Sequence, residues 1–271
     1  MNPDQLSTGR SNATFIAWIG LLFLVLPVTV VVPVSFTANR YLSLPTDGWS
    51  LRHYQALLLE PGWRNSVLDS VVVASSSTVL ALLLGTSCAI GCWRISSRLS
   101  EAIRFLMLAP IIVPSIVHAL GFYQAWVQFG LIDSYPGLII AHALKGVPYV
   151  VIAVSASLAN FDVRLEQAAR SLGATVGSAL WRVVLPSIRP GILSGAVFAF
   201  ITSWDELVVT MFITSRRVYT LPRKIWDGIQ DNISPSVAAM ATVLIVLTLL
   251  FIIAHLLYLR RRARAETLRS G

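Results

Sequence analysis

The sequence predicts an all-α integral membrane protein with six transmembrane helices and with both termini in the cytoplasm. The composition is one reason: 55% of the 271 residues are hydrophobic and only 13% are charged, whereas soluble domains carry about 25% charged residues. The other reason is that six apolar runs are each long enough to cross about 30 Å of hydrocarbon as a helix. The runs are 14–36, 67–91, 104–130, 137–158, 191–213 and 237–259.

The basic residues orient these helices. Thirteen arginines fall at the N-terminus, in the second and fourth loops and in the C-terminal tail, and seven basic residues fall in the first and fifth loops. Cytoplasmic loops carry the excess of Lys and Arg, so both termini and the fourth loop are predicted to be cytoplasmic. Because the basic residues lie almost entirely between and beyond the apolar runs, the net charge of +8 is not taken to indicate nucleic-acid binding.

The connections are predicted to contain short elements of their own. Apolar residues share one helical face in 50–60, which is typical of a helix at a membrane interface. The stretch 221–229 carries Pro222 near its start and places Ile225 and Ile229 one helical turn apart. The first apolar run, 14–36, is too long for a signal-peptide core and is expected to be retained.

The fourth loop, 165–192, is the longest well-patterned polar segment of the sequence. It predicts two short helices that are broken at Gly173, where glycine allows a sharp turn. Ala168 and Ala169 give the first helix a flat patch that another protein can approach closely. Pro186 is expected to close the second helix. The pattern predicts a cytoplasmic element that contacts a partner protein.

Five ionisable residues lie inside the predicted spans: His118, His142, Lys145, Asp205 and Glu206. At about 1.5 Å per residue, Asp205 lies roughly 20 Å from the start of its span, and the others come to similar depths. Charged groups inside a membrane are costly and usually mark a pair or a pathway. These residues are therefore predicted to share one layer of the membrane.

Two interpretations of this layer remain open. In one, Lys145 forms a buried structural pair with Asp205 or Glu206. In the other, one acid lines a pathway and attracts a cationic solute while its neighbour holds the helix, because adjacent helical residues point about 100° apart. Tyr123, Trp126 and Trp204 either add aromatic faces for a cation or serve as packing residues and anchors.

The sequence contains no phosphate-binding loop, no Cys/His metal pattern and no Ser/His/Asp arrangement. Its two cysteines are interpreted as apolar fillers. The chain is therefore predicted to have no catalytic residue, no bound cofactor and no metal of its own.

The fourth loop resembles the EAA loop of ABC importer permease subunits. The resemblance rests on Glu166-Gln167-Ala168-Ala169, then Gly173-Ala174, Leu185-Pro186 and Pro190-Gly191. A second stretch, which begins with Ser203-Trp204-Asp205-Glu206 and continues through Thr220-Leu221-Pro222, Trp226-Asp227-Gly228-Ile229 and Ile233-Ser234-Pro235, is similar to permeases of the spermidine/putrescine group. Together these similarities cover roughly residues 60–260.

The resemblance implies a type I (MetI-like) importer fold and a location in the bacterial inner membrane. It implies a single permease domain, 1–271, with a five-span core in 62–260 and a cytoplasmic coupling loop in 160–190. The implied partners are two copies of an ATP-binding subunit, which carry ATP and Mg²⁺, a second homologous permease subunit, and a periplasmic solute-binding protein that delivers a small organic solute.

The resemblance also implies roles for residues of this sequence. The ATPase-docking residues are expected to be Glu166, Ala168, Ala169, Arg170, Gly173, Ala174, Leu185 and Pro186. The pathway residues are expected to be Trp204, Asp205, Glu206, Tyr123, Trp126 and Lys145. A polyamine such as spermidine or putrescine is the favoured solute.

Other solutes of the same importer class remain open, namely a GABA-like amino acid, an opine or a phosphonate. A more distant alternative is an ion-coupled carrier or channel that uses the ionisable layer directly, and the helix-turn-helix loop argues against it. A membrane enzyme is disfavoured because no nucleophile, base or metal ligands cluster at one depth.

Overall fold

A computed structural model describes the backbone of residues 3–231 and 234–270 and the side chains of residues 14–230 and 234–260. Within these ranges the chain is almost entirely helical. The helices are α1 (Pro3–Val34), α2 (Arg52–Leu59), α3 (Pro61–Ile95), α4 (Arg98–Ile112), α5 (Ser115–Phe129), α6 (Tyr135–Ala159), α7 (Val163–Ser171), α8 (Val176–Ala179), α9 (Leu185–Ser187), α10 (Arg189–Trp204), α11 (Val208–Ile213), α12 (Leu221–Asp231) and α13 (Pro235–Ser270), with a π-helical turn, Leu180–Val184, between α8 and α9.

Four of the described helices, α1, α3, α6 and α13, are each long and apolar enough to cross a membrane. Two further pairs reach that length only together. The pair α4 and α5 is bent by 105°, and the helical stretch 176–187 meets α10 at 67°. The described chain thus has four candidate spans, or up to six if each bent pair crosses the membrane. The short helices α2 and α12 confirm the helices predicted in the first and fifth loops.

The predicted third span, 104–130, is wrong as a single helix. Its helices α4 and α5 are separated at Val113 and Pro114, and Val113 adopts an extended conformation with φ −77° and ψ 127°. A proline disfavours the helical conformation of the residue before it, and Pro114 then serves as the N-cap of α5. Pro114 was therefore a signal in the sequence for the break between α4 and α5.

The predicted fifth span, 191–213, is also interrupted. Helix α10 ends at Trp204, and α11 begins at Val208. At the break the Glu206 carboxylate accepts a hydrogen bond from the backbone N–H of Val209 at 2.9 Å. This contact satisfies a donor in the first turn of α11 and stabilises the new helix start.

The described residues form two compact units, 1–64 with 225–271, and 65–224. In the first unit, α13 packs against α1 and α2. The loop after α1 is tied to α2 by a hydrogen bond between the Ser35 and Tyr54 hydroxyl groups at 2.6 Å and by one between the His53 ring and the Asn39 carbonyl at 3.0 Å. The side chains of residues 14–30 in α1, such as Phe23 at 77% exposure, are exposed, as expected for a helix surrounded by lipid.

The second unit is built around α6, which packs most extensively on α10. Valines 147, 150, 151 and 154 of α6 form one buried cluster with small residues of α3 and α10. Gly191 permits the close approach of α10, because a Cβ atom there would lie 2.5 Å from the Ser157 Cβ and 2.7 Å from the Ala153 carbonyl oxygen. Small residues at membrane helix contacts let the backbones approach in this way.

Candidate functional site

The polar segment, defined here as residues 163–187, forms the predicted helix-turn-helix. Helix α7 begins at an Asp162 cap whose carboxylate accepts the N–H of Arg164 at 2.9 Å. It ends in a Schellman turn, in which Gly173 N–H donates to the Arg170 carbonyl at 3.0 Å and Ala174 N–H to the Ala169 carbonyl at 3.1 Å. Gly173 has φ +92°, so the predicted turn at this glycine is confirmed.

The end of the polar segment differs from the prediction. Pro186 does not close the second helix, because it lies within α9 and the helical conformation continues to Ser187. A π-helical turn precedes it, in which Leu185 N–H donates to the Leu180 carbonyl five residues back. Pro186 falls in the first turn of the next helical stretch, where a missing N–H costs little. Leu185 and Pro186 are both half-buried.

The polar segment is held to α3 by one ion pair. The Glu166 carboxylate is 6% exposed and accepts a hydrogen bond from Arg94 Nη2 at 2.9 Å. By contrast, Ala168 and Arg170 are exposed, Ala169 and Ala174 are half-buried, and Leu172 is 90% exposed. The predicted docking residues therefore fall into two groups. Some lie on an outward face, whereas Glu166 is buried and its carboxylate is bonded within the chain.

A polar layer lies where α10 breaks. It comprises Ser115, His142, Lys145, Ser203, Glu206 and Thr210. The His142 ring lies 2.8 Å from Ser203 Oγ and 3.2 Å from Thr210 Oγ1. Lys145 donates to the Glu206 carboxylate and, at 2.8 Å, to Ser115 Oγ. The layer thus connects α5, α6, α10 and α11 through buried hydrogen bonds, as expected for polar groups in a membrane.

The two adjacent acids of this region have different environments. Glu206 is 8% exposed, pairs with Lys145 and caps α11. Asp205 is exposed, and among the described side chains its carboxylate has no hydrogen bond or ion pair. The structural pair predicted for Lys145 is therefore with Glu206 and not with Asp205.

The predicted aromatic residues also separate by environment. Trp126 is 9% exposed and donates from Nε1 to the Gly137 carbonyl at 2.9 Å, so in this conformation it packs between α5 and α6. Tyr123 is 47% exposed and lines a cavity of about 370 Å³ with Leu120, Met211 and Phe212. Trp204 ends α10 and stacks on Phe200, with ring centroids 5.8 Å apart.

His118 does not join the polar layer. Its ring stacks on Phe122, and its Nδ1 is buried without a hydrogen-bond partner in the described structure. Sequence reasoning missed Arg94, Ser203 and Thr210. Ser203 and Thr210 flank the two acids at three and four residues from Glu206, a helical spacing that gave a usable signal. Arg94 is 72 residues from Glu166, and nothing local indicates that contact.

The turn after α5 is fixed by a further carboxylate. Asp133 accepts hydrogen bonds at 2.8–3.2 Å from the backbone N–H groups of Ser215, Arg216 and Arg217, which follow α11. Burial raises the pKa of Asp133, but the bonds from these N–H groups and from Val218 outweigh it and hold the pKa below its usual value. This carboxylate joins two loops of the second unit.

Curated relatives cover most of the chain. The sequence is 29% identical over 245 residues to the spermidine/putrescine transport system permease protein PotC of Escherichia coli strain K12, covering 90% of this chain and 92% of that protein. It is 29% identical over 260 residues to the putrescine transport system permease protein PotI of the same strain, covering 93% and 92%. The molybdenum transport system permease protein ModB of Mycobacterium bovis is 32% identical over 208 residues, covering 71% and 78%.

Solved structures support the fold. A bacterial ABC transporter involved in the import of the acidic polysaccharide alginate matches with a TM-score of 0.72 at 16% identity, over 94% of this chain and 98% of that chain. The MetNI methionine ABC transporter in inward-facing conformations matches with a TM-score of 0.59 at 17% identity, over 69% and 89%. These likenesses confirm the importer-permease fold.

The family model of binding-protein-dependent transport system inner membrane components matches residues 81–264, which include the polar segment, the polar layer and most of α13. The resemblance in the fourth loop and the inner-membrane location are thereby confirmed. The chain belongs to the family of binding-protein-dependent transport system inner membrane components.

Proposed function

We propose that this chain is the membrane-spanning subunit of an ATP-driven importer and forms half of the pathway for a small organic cation. A polyamine such as spermidine or putrescine is the favoured solute. The main support for the proposal is the difference between two adjacent acids. Glu206 is buried and paired, whereas Asp205 is exposed and unpaired within the described residues. One acid holds the broken helix, and the other is left to meet a cation.

The polar segment is the docking element for the ATP-binding subunits, of which the importer has two copies. Its outward face carries Ala168 and Arg170 on α7 and the exposed Leu172. Small side chains let a partner groove approach the helix backbone closely. The Schellman turn at Gly173 fixes the angle between the two helical parts, so a push on α7 is transmitted as a rigid-body movement.

Glu166 connects this docking element to the membrane helix α3. Its carboxylate is bonded to Arg94 near the end of α3, so displacement of α7 pulls directly on a membrane helix. A direct contact of Glu166 with the ATPase groove, as the family resemblance implies, remains a prediction and requires the pair to open. The energy comes from ATP hydrolysis on the partner, and this chain supplies no catalytic residue, metal or cofactor.

The preference for a cationic solute has two supports. PotC and PotI, which cover about nine-tenths of this chain, are named for spermidine and putrescine transport. Asp205 offers an uncompensated carboxylate at the end of α10, beside Trp204, whose aromatic face suits an alkylammonium group. A second permease subunit completes the pathway, and a periplasmic binding protein delivers the solute.

Uptake of radiolabelled putrescine tests the proposal. The chain is expressed with the ATPase, second permease and binding protein of its own gene cluster in cells that lack polyamine uptake. Asp205→Asn is expected to reduce uptake at least tenfold with normal assembly, because the pathway loses its attraction for a cation. Glu60→Gln removes an exposed acid at the end of α2 and is the matched control.

Competition separates the alternatives. Excess unlabelled spermidine is expected to suppress uptake, whereas GABA, an opine and a phosphonate are not. Uptake of a phosphonate with no effect of Asp205→Asn would overturn the cationic pathway. Uptake that persists with a hydrolysis-deficient ATPase subunit would overturn the importer itself and favour an ion-coupled carrier.

A further inference from the structure

A groove of about 830 Å³ lies within the second unit, between α3 and the end of the polar segment. One wall is α3 from Val79 to Arg94. The other wall is formed by the π-helical turn, α9 and the start of α10. The groove is thus bounded on one side by the element that we propose docks the ATPase.

The walls of this groove do not suit a polyamine. They are mainly aliphatic, with Leu82, Leu83, Leu185 and Ile192 among the lining residues, and the described lining contains no acidic side chain. A polycation placed here would lose hydration without gaining a carboxylate partner. An acyl chain, in contrast, replaces water against such a surface at no polar cost.

The dimensions fit one leaflet of a bilayer. Val79 and Arg94 are 15 residues apart on one helix, α3, which corresponds to roughly 22 Å. Half of a bilayer, from its midplane to the headgroups, is about 20–22 Å thick. A lipid chain that begins at the level of Arg94 therefore ends near Val79.

Positive charge is confined to one end of the groove. Arg94 and Arg189 line this end, and Trp181, which is 72% exposed, also lines the groove and is a residue type enriched at membrane interfaces. Arg94 is paired with Glu166, but the exposed Arg189 has no acidic partner among the described side chains. A guanidinium at a membrane interface with an apolar slot beneath it is suited to a lipid phosphate.

We propose that this groove binds an anionic phospholipid of the leaflet on the polar-segment side, with its phosphate at Arg189 and an acyl chain along α3. The distribution of basic residues among the loops predicts that this leaflet is the cytoplasmic one, which is rich in anionic lipid. Because Leu185 and Pro186 form part of the wall, bound lipid contacts the polar segment directly. The proposed lipid site rests on the family membership of the chain, and it does not depend on a polyamine being the solute.

Native mass spectrometry of the purified, complete transporter tests the charge requirement. The complex is reconstituted with equal phosphatidylglycerol and phosphatidylcholine, and the lipid retained after detergent exchange is counted. The wild type is expected to retain phosphatidylglycerol preferentially. Arg189→Gln is expected to lower that retention about fivefold, whereas Arg98→Gln, an equal loss of charge on the same predicted side outside the groove, is expected to leave it unchanged. Equal retention of both lipids, or an equal effect of both variants, would overturn the proposal.

A second pair of variants tests the apolar slot without changing charge. Gly91 lines the groove, and a side chain there meets no atom within 4 Å of its Cβ, so Gly91→Leu fills the slot without a clash. Gly121→Leu adds the same group at an equally open position on α5. Only Gly91→Leu is expected to lower phosphatidylglycerol retention.

A photo-crosslinking amino acid at Leu83 identifies the occupant directly. Leu83 is 63% exposed and lines the groove. A phospholipid adduct on this chain is expected. An adduct to the second permease subunit instead would show that a protein surface covers the groove, and it would overturn the lipid site while leaving the proposed import function intact.

Discussion

The polar segment and the polar layer each contain a buried glutamate in an ion pair, but they differ in how completely their other polar side chains are bonded. The polar segment presents most of its side chains outward and is held to α3 by one ion pair, Arg94–Glu166. In the polar layer the imidazole of His142, the ammonium of Lys145 and the carboxylate of Glu206 are all hydrogen-bonded within the chain. The contrast fits the proposal that the first region docks a partner, whereas the bonds of the second hold α5, α6, α10 and α11 together. Asp205, next to the layer, is exposed and is the acid that we propose meets the solute.

The largest effect is expected from breaking the pair in the polar layer. Lys145→Met leaves the Glu206 carboxylate buried without a cation, which costs on the order of 3–5 kcal/mol. We expect a large fall in thermal stability of the purified chain in detergent, or a loss of yield. The double variant Lys145→Met/Glu206→Gln removes both charges and is expected to regain most of the stability. A single variant as stable as the wild type would contradict the structural role of this pair.

Replacing the turn glycine of the polar segment is expected to have a smaller effect. Gly173→Ala places a side chain at φ +92°, which costs about 1–2 kcal/mol although the space around it is open. Coupling of ATP hydrolysis to uptake is expected to fall, because the angle of the turn changes. The matched control is Gly177→Ala in α8, where the space is equally open and the backbone is helical. Equal loss of coupling in both variants would show that the turn geometry is not what matters.

The Arg94–Glu166 ion pair between α3 and α7 is expected to contribute about 1 kcal/mol of stability, because Arg94 is partly exposed. Its contribution to coupling is expected to be larger. Glu166→Arg alone is expected to uncouple ATP hydrolysis from uptake in proteoliposomes. The charge swap Arg94→Glu/Glu166→Arg distinguishes the two roles of Glu166. Recovery of uptake supports transmission through α3, and continued loss supports direct contact of Glu166 with the ATPase.

The Asp133 carboxylate gives a stability that depends on pH. Its pKa in the folded protein lies below the usual value of about 3.9. Its contribution is therefore fully present above that value and is lost as pH falls through the lower, folded pKa. We expect Asp133→Asn to lower the melting temperature by a few degrees at pH 7. The difference from wild type is expected to begin to shrink as pH falls below about 4 and to disappear below the folded pKa. A difference that grows on acidification would contradict the assignment.

The smallest effect on stability is expected at Asp205. Its exposed carboxylate makes no described contact, so Asp205→Asn is expected to shift stability by less than about 0.5 kcal/mol. A thermal unfolding assay of the same preparation used for uptake provides the measurement. A loss as large as that of Lys145→Met would show that Asp205 is structural, and the contrast between the two acids would fail.

The sequence was informative where the relevant physics is local. Apolar run length located the four long apolar helices α1, α3, α6 and α13 but not the breaks within 104–130 and 191–213. The Gly173 turn followed from the backbone freedom of glycine. The cost of an unpaired charge in the membrane also predicted a partner for Lys145. Which acid would be that partner depended on the break after Trp204, a consequence of packing between α6, α10 and α11. The Arg94–Glu166 pair joins residues 72 positions apart, and no periodicity reports such a contact.

The contact between the polar segment and an ATPase is the central claim, and site-specific crosslinking tests it most directly. A photo-crosslinking amino acid replaces Ala168, which is exposed on α7, in the complete and transport-active importer. We expect an adduct to the ATP-binding subunit, and we expect the yield of this adduct to change when ATP is added. Absence of that adduct in a complex that still transports, or an adduct only to another protein, would contradict it.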